Sequence, residues 1–223
     1  YNSQFGLNTS TNTSLALRAI NVSAKDFGVV SGIKIQDCYI HDINGNINLK
    51  WNGGIFFDVQ ADVIGGELSG IPTKYDDVLI EGCTFINVDR SGIKLVNSAW
   101  CNQWLPNSPD IPLNWYPSTN VVVRNNYMEK IGGDGITTRD TDGALIEYNL
   151  AKDCRYQNTG YNVGIWPFEA ANTVIQYNEA YNTHGTQDGQ GLDCDHASSY
   201  SLMQYNYSHD NEGGFMLIRL DPV

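Results

Sequence analysis

The sequence contains a repeat whose order and spacing restrict the possible folds. Six segments approximate the order apolar, any residue, apolar, polar, any residue, and then Cys or Asn. They read IKIQDC (33–38), VLIEGC (78–83), VVVRNN (121–126), ALIEYN (144–149), TVIQYN (173–178) and SLMQYN (201–206). Each is followed by a glycine and an apolar residue: Gly54-Ile55, Gly92-Ile93, Gly135-Ile136, Gly164-Ile165, Gly191-Leu192 and Gly214-Phe215. Two patterns recurring in the same order predict a solenoid, in which each repeat buries its apolar face against its neighbours.

The repeated segments are expected to be β-strands. They are short, bounded by glycine, and alternate apolar with other residues, and β-branched side chains dominate the first pattern. Spacings of 45, 43, 23, 29 and 28 residues separate the central apolar positions of consecutive segments. The shorter spacings suit coils of three short strands, which is the period of a β-helix rather than of a propeller blade. We therefore predict an all-β, single-stranded parallel β-helix of about seven or more coils, with long loops at 58–77 and 97–119.

The last position of each segment is expected to form a column inside the solenoid. Stacked asparagines can hydrogen-bond to one another, and cysteine fills the same position as a small apolar side chain. The column would hold Cys38, Cys83, Asn126, Asn149, Asn178 and Asn206. All five cysteines, which also include Cys101, Cys154 and Cys194, lack a metal-site spacing and are expected to be buried free thiols.

The charge balance excludes several classes of partner. The chain has 13 Lys plus Arg against 25 Asp plus Glu, which gives a formal net charge of −12. Binding to phosphates requires clustered basic residues, so we expect no nucleic-acid partner. The sequence also lacks an apolar run of 18 residues, so we expect no membrane insertion.

The repeat gives the chain a resemblance to a known superfamily. Over residues 30 to 220 the chain resembles the right-handed parallel β-helix proteins of the pectate-lyase-like superfamily, and QYNYSHDNEGGF (204–215) is similar to bacterial extracellular β-helix repeat proteins. Many of these proteins act on carbohydrates. The resemblance implies a right-handed coil, a secreted or cell-surface location, and an oligo- or polysaccharide substrate. The sequence lacks a pectate-lyase or polygalacturonase signature, so the fold leaves the reaction open.

The predicted domain organisation is simple. We expect residues 1–30 to form an N-terminal segment or a first coil, and residues 31–223 to form the β-helix. Open ends of a β-helix expose strand edges, which are normally capped. We therefore expect the chain to be part of a longer solenoid, or to have its ends capped by further β-helix coils or by another subunit.

The alternation of side chains predicts a patch on the outer wall of the solenoid. We take as the origin the glycine of each glycine–apolar pair, and call these six glycines the glycine ladder. The second and fourth residues after each of them are then expected to point outward. Neighbouring coils would then bring together Lys94, Arg139, Trp166, Phe168, Asp193 and Asp195. The margin of the patch would hold Asp134, Asp188, Glu212, His184 and His209.

The segment DGQGLDCD (188–195) supplies the candidate catalytic residues. Its three carboxylates are Asp188, Asp193 and Asp195. Closely spaced carboxylates raise one pKa, as a general acid requires, and a pair of them is what glycosidases use. Trp166 and Phe168 could stack on a sugar ring. Some bacterial β-helix glycosidases, lacto-N-biosidases among them, look similar in carrying closely spaced aspartates on one coil.

Three functions follow from this patch. The first is a glycoside hydrolase that uses an aspartate pair, with the remaining patch residues binding substrate. The second is a polysaccharide lyase or epimerase acting on uronates, with Lys94, Arg139 or a histidine as the base. The third is a non-catalytic glycan-binding β-helix or adhesin that uses Trp166 and Phe168. No cofactor is expected; the alternative for the aspartates is a Ca²⁺ site, since Ca²⁺ prefers carboxylate oxygens.

Overall fold

In the computed structural model, residues 16–97, 99–100, 115–157, 160–185 and 187–219 are described. Their strands, numbered in chain order, form three parallel sheets and one hairpin. The first sheet contains β1 (Arg18–Lys25), β4 (Gly53–Gln60), β9 (Ser91–Asn97), β12 (Ile136–Arg139), β16 (Ile165–Phe168), β19 (Leu192–Cys194) and β22 (Met216–Ile218). The second contains β2 (Val29–Gln36), β7 (Lys74–Glu81), β10 (Ser118–Arg124), β14 (Leu145–Glu147), β17 (Val174–Gln176) and β20 (Leu202–Gln204), with β13 (Thr141–Asp142) beside β10. The third contains β3 (Tyr39–Ile43), β8 (Thr84–Val88), β11 (Tyr127–Ile131), β15 (Leu150–Cys154), β18 (Glu179–Tyr181) and β21 (Tyr207–His209).

The chain passes through the three sheets in a regular order, and each strand pairs in parallel with its counterpart in the next coil. This arrangement is a parallel β-helix, as the sequence predicted. The apolar core runs along its inside, where Ile55, Ile93, Ile136, Ile165 and Leu192 align across five coils of the first sheet. The strand β1 already pairs with β4, so part of the 1–30 segment belongs to the first coil.

The two segments predicted as long loops differ from each other. The segment 58–77 contains an antiparallel hairpin of β5 (Asp62–Ile64) and β6 (Glu67–Ser69). Gly65 and Gly66 connect its strands with φ of 64° and 89°, the backbone that a two-residue hairpin turn requires. Residues 98 and 101–114 of the second loop, which include Trp104 and Cys101, lie outside the described residues. Trp100 is buried in the core and Tyr116 packs against it.

The predicted column of asparagines is confirmed. Each amide donates to the side-chain oxygen of the next: Nδ2 of Asn126 to Asn149 at 2.9 Å, Asn149 to Asn178 at 3.0 Å, and Asn178 to Asn206 at 3.0 Å. Each also donates to the main chain of an earlier coil, as Asn149 does to the carbonyl of Val123 at 2.9 Å. The column therefore satisfies buried main-chain groups where the chain turns from the second sheet to the third.

The cysteines within the described residues are free. Cys83 and Cys154 are buried, as predicted, while Cys38 and Cys194 are half-buried. Burial raises the pKa of the Cys83 thiol to about 11, which keeps it protonated at neutral pH. The described residues contain no helix that is long and apolar enough to cross a membrane.

The glycine ladder follows from the close approach of neighbouring coils. A Cβ atom on Gly164 would lie 2.5 Å from the carbonyl oxygen of Gly191, and one on Gly92 would lie 2.6 Å from that of Gly135. The predicted register is wrong by one residue in the last coil, where Met216 rather than Phe215 aligns with Leu192. Two consecutive glycines made this register ambiguous; Gly213 takes the close contact with the main chain at Asp188–Gln190, and Phe215 is exposed.

Candidate active site

A pocket of about 360 Å³ lies on the outer face of the first sheet. Its walls combine outward residues of the sheet with the segment before β4, the turn before β16 and the segments around β19 and β22. The lining residues are Lys50, Lys94, Thr137, Arg139, Tyr161, Trp166, Phe168, Asp188, Asp195, His196, Leu217 and Arg219. Six of the predicted site residues are among them: Lys94, Arg139, Trp166, Phe168, Asp188 and Asp195.

Strand register explains how these side chains come together. Lys94 of β9 aligns with Thr137 of β12, which aligns with Trp166 of β16. Since Ile165 pairs with Leu192, the next residue in this row is Asp193. The sequence predicted this row as an open patch, but Lys94, Trp166 and Asp193 are only 6%, 7% and 1% exposed. Lys94, Thr137 and Trp166 of this row form the floor of the pocket, and residues from outside the sheet contribute to its walls.

The three aspartates of the 188–195 segment are not equivalent. Asp188 and Asp195 line the pocket, whereas Asp193 is only 1% exposed and is not among the lining residues. Burial, together with the charges of Asp195 and Asp188, raises the pKa of Asp193 to about 8. One of its carboxyl oxygens, Oδ1, is buried and makes no hydrogen bond among the described residues. Asp193 is therefore buried and does not contribute to the surface that a ligand in the pocket would contact.

The position of Asp188 is fixed by main-chain contacts with Asn162. Its φ of 65° lies in the left-handed region, and its backbone pairs with that of Asn162. The next amide, of Gly189, donates to the carbonyl of Asn162 at 3.0 Å. Burial raises the pKa of the Asp188 carboxyl, as do the charges of Asp195 and Asp134, while Lys50 and Arg155 oppose the shift.

Asp195 directly follows strand β19. The main-chain amide of His196 donates to its carboxylate at 2.7 Å, and Nε2 of His196 lies 3.7 Å from the same oxygen. The side chain of Asp195 is 16% exposed. Asp195 thus lines the pocket, and its carboxylate accepts a main-chain hydrogen bond.

Aromatic rings form one wall of the pocket. The rings of Trp166 and Phe168 meet edge to face with centroids 5.6 Å apart, and Phe168 meets His196 in the same way at 5.9 Å. Arg139 lies over the Phe168 ring at 5.1 Å and donates to Glu169 at 2.7 Å. Because Trp166 is mostly buried, Phe168 and the exposed Tyr161 offer more ring surface to a ligand.

Four residues predicted at the margin lie elsewhere. Asp134 is fully buried and accepts a hydrogen bond from the amide of Val163 at 3.2 Å, so it lies below the pocket. His184 and Glu212 form a separate exposed cluster, with Nδ1 of His184 3.7 Å from the Glu212 carboxylate. His209 belongs to the third sheet, where it stacks between Tyr181 and Tyr207. None of the four lines the described pocket. Asp134, His184 and Glu212 lie outside the strands and His209 lies on another sheet, so alternation along a strand of the first sheet does not predict their positions.

Sequence reasoning missed several lining residues. Lys50 and Tyr161 come from segments between strands, where no alternation applies. Leu217 and Arg219 were missed because of the one-residue register shift at β22, since Asp193 pairs with Leu217. Thr137 is the second residue after Gly135, so the alternation places it in the outward row, but the sequence indicated no role for it. Of the lining residues that were missed, only His196 could have been predicted from the sequence, because it directly follows Asp195.

The Ca²⁺ alternative stays a prediction. Within the described part of the chain, no group of three or more His, Cys, Asp or Glu side chains is arranged to hold a metal ion. Asp188 and Asp195 face the same pocket as two lysines and two arginines.

Comparison with known proteins extends these observations. Residues 112–220 match the family model described as a right-handed beta helix region. The chain is therefore a right-handed parallel β-helix, which agrees with its strand topology. It is 34% identical to a lacto-N-biosidase from Bifidobacterium longum subsp. longum over 227 aligned residues, covering 87% of this chain and 14% of that protein.

Solved structures give a similar result. The chain superposes on the crystal structure of the GH136 lacto-N-biosidase from Eubacterium ramulus with a TM-score of 0.76 and 28% identity. The selenomethionine derivative of that protein matches equally well. The match covers 97% of this chain and 36% of the solved chain. The chain thus spans 14% of the length of the curated relative and about a third of the solved one.

Proposed function

We propose that this chain carries the catalytic β-helix of a glycoside hydrolase, with Asp188 and Asp195 as the carboxylate pair. The observation that supports this proposal is that both aspartates line one pocket whose wall is aromatic. Glycosidases use two carboxylates on opposite sides of the bond to be cleaved. The likeness to lacto-N-biosidases of known β-helix structure favours the same class of reaction.

The environments of the two carboxylates suggest different roles. The raised pKa of Asp188 favours its protonated form, so it would donate a proton to the glycosidic oxygen. Asp195, which accepts a hydrogen bond from the main-chain amide of His196, would act as the nucleophile or as the base that activates water. Its negative charge contributes to the raised pKa of Asp188, so the two roles support each other.

The substrate would be an oligosaccharide bound against the aromatic wall. Phe168, Tyr161 and the accessible edge of Trp166 provide apolar surfaces for sugar rings. Lacto-N-biosides, which the names of both relatives indicate, are the first substrates to test. We further propose a secreted or cell-surface location, on the similarity of 204–215 to extracellular β-helix proteins.

The test compares Asp188→Asn and Asp195→Asn with the parent chain on a panel of neutral and acidic oligosaccharides. Each substitution should lower kcat by about 10²–10⁴-fold, which is the usual contribution of a catalytic acid or base. Asp210→Asn is the matched control, because Asp210 is exposed beside His209 on the third sheet. Activity that survives both pocket substitutions would contradict the proposal.

The products separate the alternative functions. A new reducing end without an unsaturated product identifies a hydrolase. An unsaturated product, detected by its ultraviolet absorbance, identifies the lyase. Binding without any product from the parent chain identifies the non-catalytic glycan-binding protein.

A further inference from the structure

The pocket is rich in basic residues, although the chain as a whole is acidic. The chain has a formal net charge of −12 and only 13 lysines and arginines. Four of them line this one cavity: Lys50, Lys94, Arg139 and Arg219. Only two acidic residues line it, Asp188 and Asp195. A cleft lined mostly by one sign of charge concentrates ligands of the opposite sign.

Of these four residues, Lys94 gives the strongest indication of what the pocket binds. Its side chain is almost fully buried, and its Nζ makes one long hydrogen bond, 3.5 Å to the carbonyl of Lys50, and lies 5.8 Å from the Trp51 ring. Within the described residues it makes no ion pair. The pKa of Lys94 is lowered to about 7, mainly by burial; the charge of Asp134 opposes this shift, and the charges of Lys50, Arg90 and Arg139 contribute to it.

An ammonium group has three donors, and buried charges in proteins are normally paired. Arg139 differs in this respect, because Glu169 and Asp140 already neutralise it at 2.7 and 3.2 Å. Among the described residues, the only hydrogen-bond acceptor of the Lys94 ammonium is the carbonyl of Lys50, and no carboxylate pairs with it. An anionic group of a ligand would provide the missing partner.

Strand register places Lys94 far from the carboxylate pair. Lys94 lies on β9, and Asp195 follows β19, three coils further along the first sheet. Coils stack about 4.8 Å apart, so about 14 Å separates these two positions. The two ends of the pocket would contact different parts of one ligand. Lys50 also lines the pocket, and its charge acts on both Lys94 and Asp188.

We propose that Lys94 and Lys50 form a subsite for an anionic substituent of the glycan, either a carboxylate or a sulfate ester. This inference rests on the proposed function and deepens it, because it assigns the substrate to the acidic glycans. The anionic group lies on a sugar unit away from the bond that is cleaved.

The experiment measures kcat/KM on matched oligosaccharides that differ only in one substituent: neutral, carboxylated or sulfated. The parent chain should prefer an acidic member over the neutral one by about tenfold or more, as an ion pair in a desolvated site allows. The carboxylated and sulfated members tell which oxyanion the subsite takes. Equal or better turnover of the neutral member would overturn the proposal.

Substitutions then test which residues carry the preference. Lys94→Met and Lys50→Met should each lower the ratio of acidic to neutral kcat/KM, mainly through KM. Lys50 is exposed, so its variant remains informative if Lys94→Met does not fold. Lys152→Met is the control, because Lys152 pairs with Glu129 on the third sheet and should leave the ratio unchanged. A ratio that stays constant in both pocket variants would overturn the proposal.

Binding measurements separate this inference from the proposed function. Calorimetry with Asp195→Asn reports affinity for the same oligosaccharides without turnover. If the parent chain cleaves none of them but binds the acidic ones through Lys94, the hydrolase proposal fails and the subsite stands. If it cleaves neutral glycans without preference, the subsite fails and the hydrolase proposal stands.

Discussion

The guanidinium of Arg90 donates a hydrogen bond to the side-chain oxygen of Asn162, which is 72 residues away in the sequence. Both side chains are buried, and Arg90 also lies 3.8 Å from Asp134. Asn162 in turn pairs through its backbone with Asp188. This buried network connects Asp134 and Arg90 to the main chain of the proposed catalytic acid.

The network predicts that Asn162 positions Asp188. In Asn162→Ala, kcat should fall about 10- to 100-fold with a smaller change in KM, because small displacements of a catalytic group are costly. The pH at which activity is lost on the basic side should also fall, since a less constrained Asp188 is better solvated and its pKa drops. Steady-state kinetics across pH measure both effects.

The control for this prediction is Gln176→Ala on β17, which removes a hydrogen bond to Glu147 away from the pocket. Its pH profile should match that of the parent chain. A loss of stability in Asn162→Ala without a shift in the pH profile would show that the residue is only structural.

The raised pKa of Asp193 predicts that the stability of the protein depends on pH. Its pKa rises from 3.8 unfolded to about 8 folded, so the folded state binds more protons between these values. Stability contributed by this group is therefore lost as pH rises from about 4 to 8. Asp193→Asn should remove this dependence and be about 1–3 kcal/mol more stable than the parent chain at pH 8, since it avoids a buried unpaired charge. Urea unfolding at several pH values tests it, and an unchanged slope with pH would contradict the assignment.

The asparagine column should contribute strongly to stability. Asn149→Ala removes donors to Asn178 and Val123 and an acceptor for Asn126. Because these groups are buried and stay unsatisfied, we expect a loss of about 2–3 kcal/mol in the free energy of unfolding. Asn48→Ala, at an exposed turn, should change it by less than about 0.5 kcal/mol. Chemical denaturation of both variants measures the difference, and equal effects would argue against the column.

Because neighbouring coils approach closely at the glycine ladder, we expect that these positions do not tolerate even alanine. Gly164→Ala places a Cβ 2.5 Å from the carbonyl oxygen of Gly191, so neighbouring coils must separate. We expect a loss of about 2–4 kcal/mol, in the range of other strained core substitutions. Gly143→Asn is the control: its φ is 76°, which Asn tolerates, and no atom lies within 4 Å of the added Cβ. Thermal unfolding that is similar for both variants would contradict the close approach.

The sequence alone determined the parallel β-helix, the inward asparagine column and the outward row from Lys94 to Asp193. These features follow from alternation along a strand and stacking at a fixed spacing, which are both local rules. They also placed Asp195, Trp166 and Phe168 on the wall that carries the pocket.

Only the tertiary structure decided which of those residues a ligand can reach. Asp193 and Asp195 share one face of the strand in the sequence pattern, yet Asp193 is buried and Asp195 lines the pocket. Lys50 and Tyr161 join the site from turns, whose direction no periodic pattern encodes. Asp134, His184 and Glu212, which lie outside the strands, and His209, which lies on the third sheet, are likewise not part of the pocket. A repeat fixes positions along the solenoid, whereas the burial and charge of a site depend on chain segments that do not repeat.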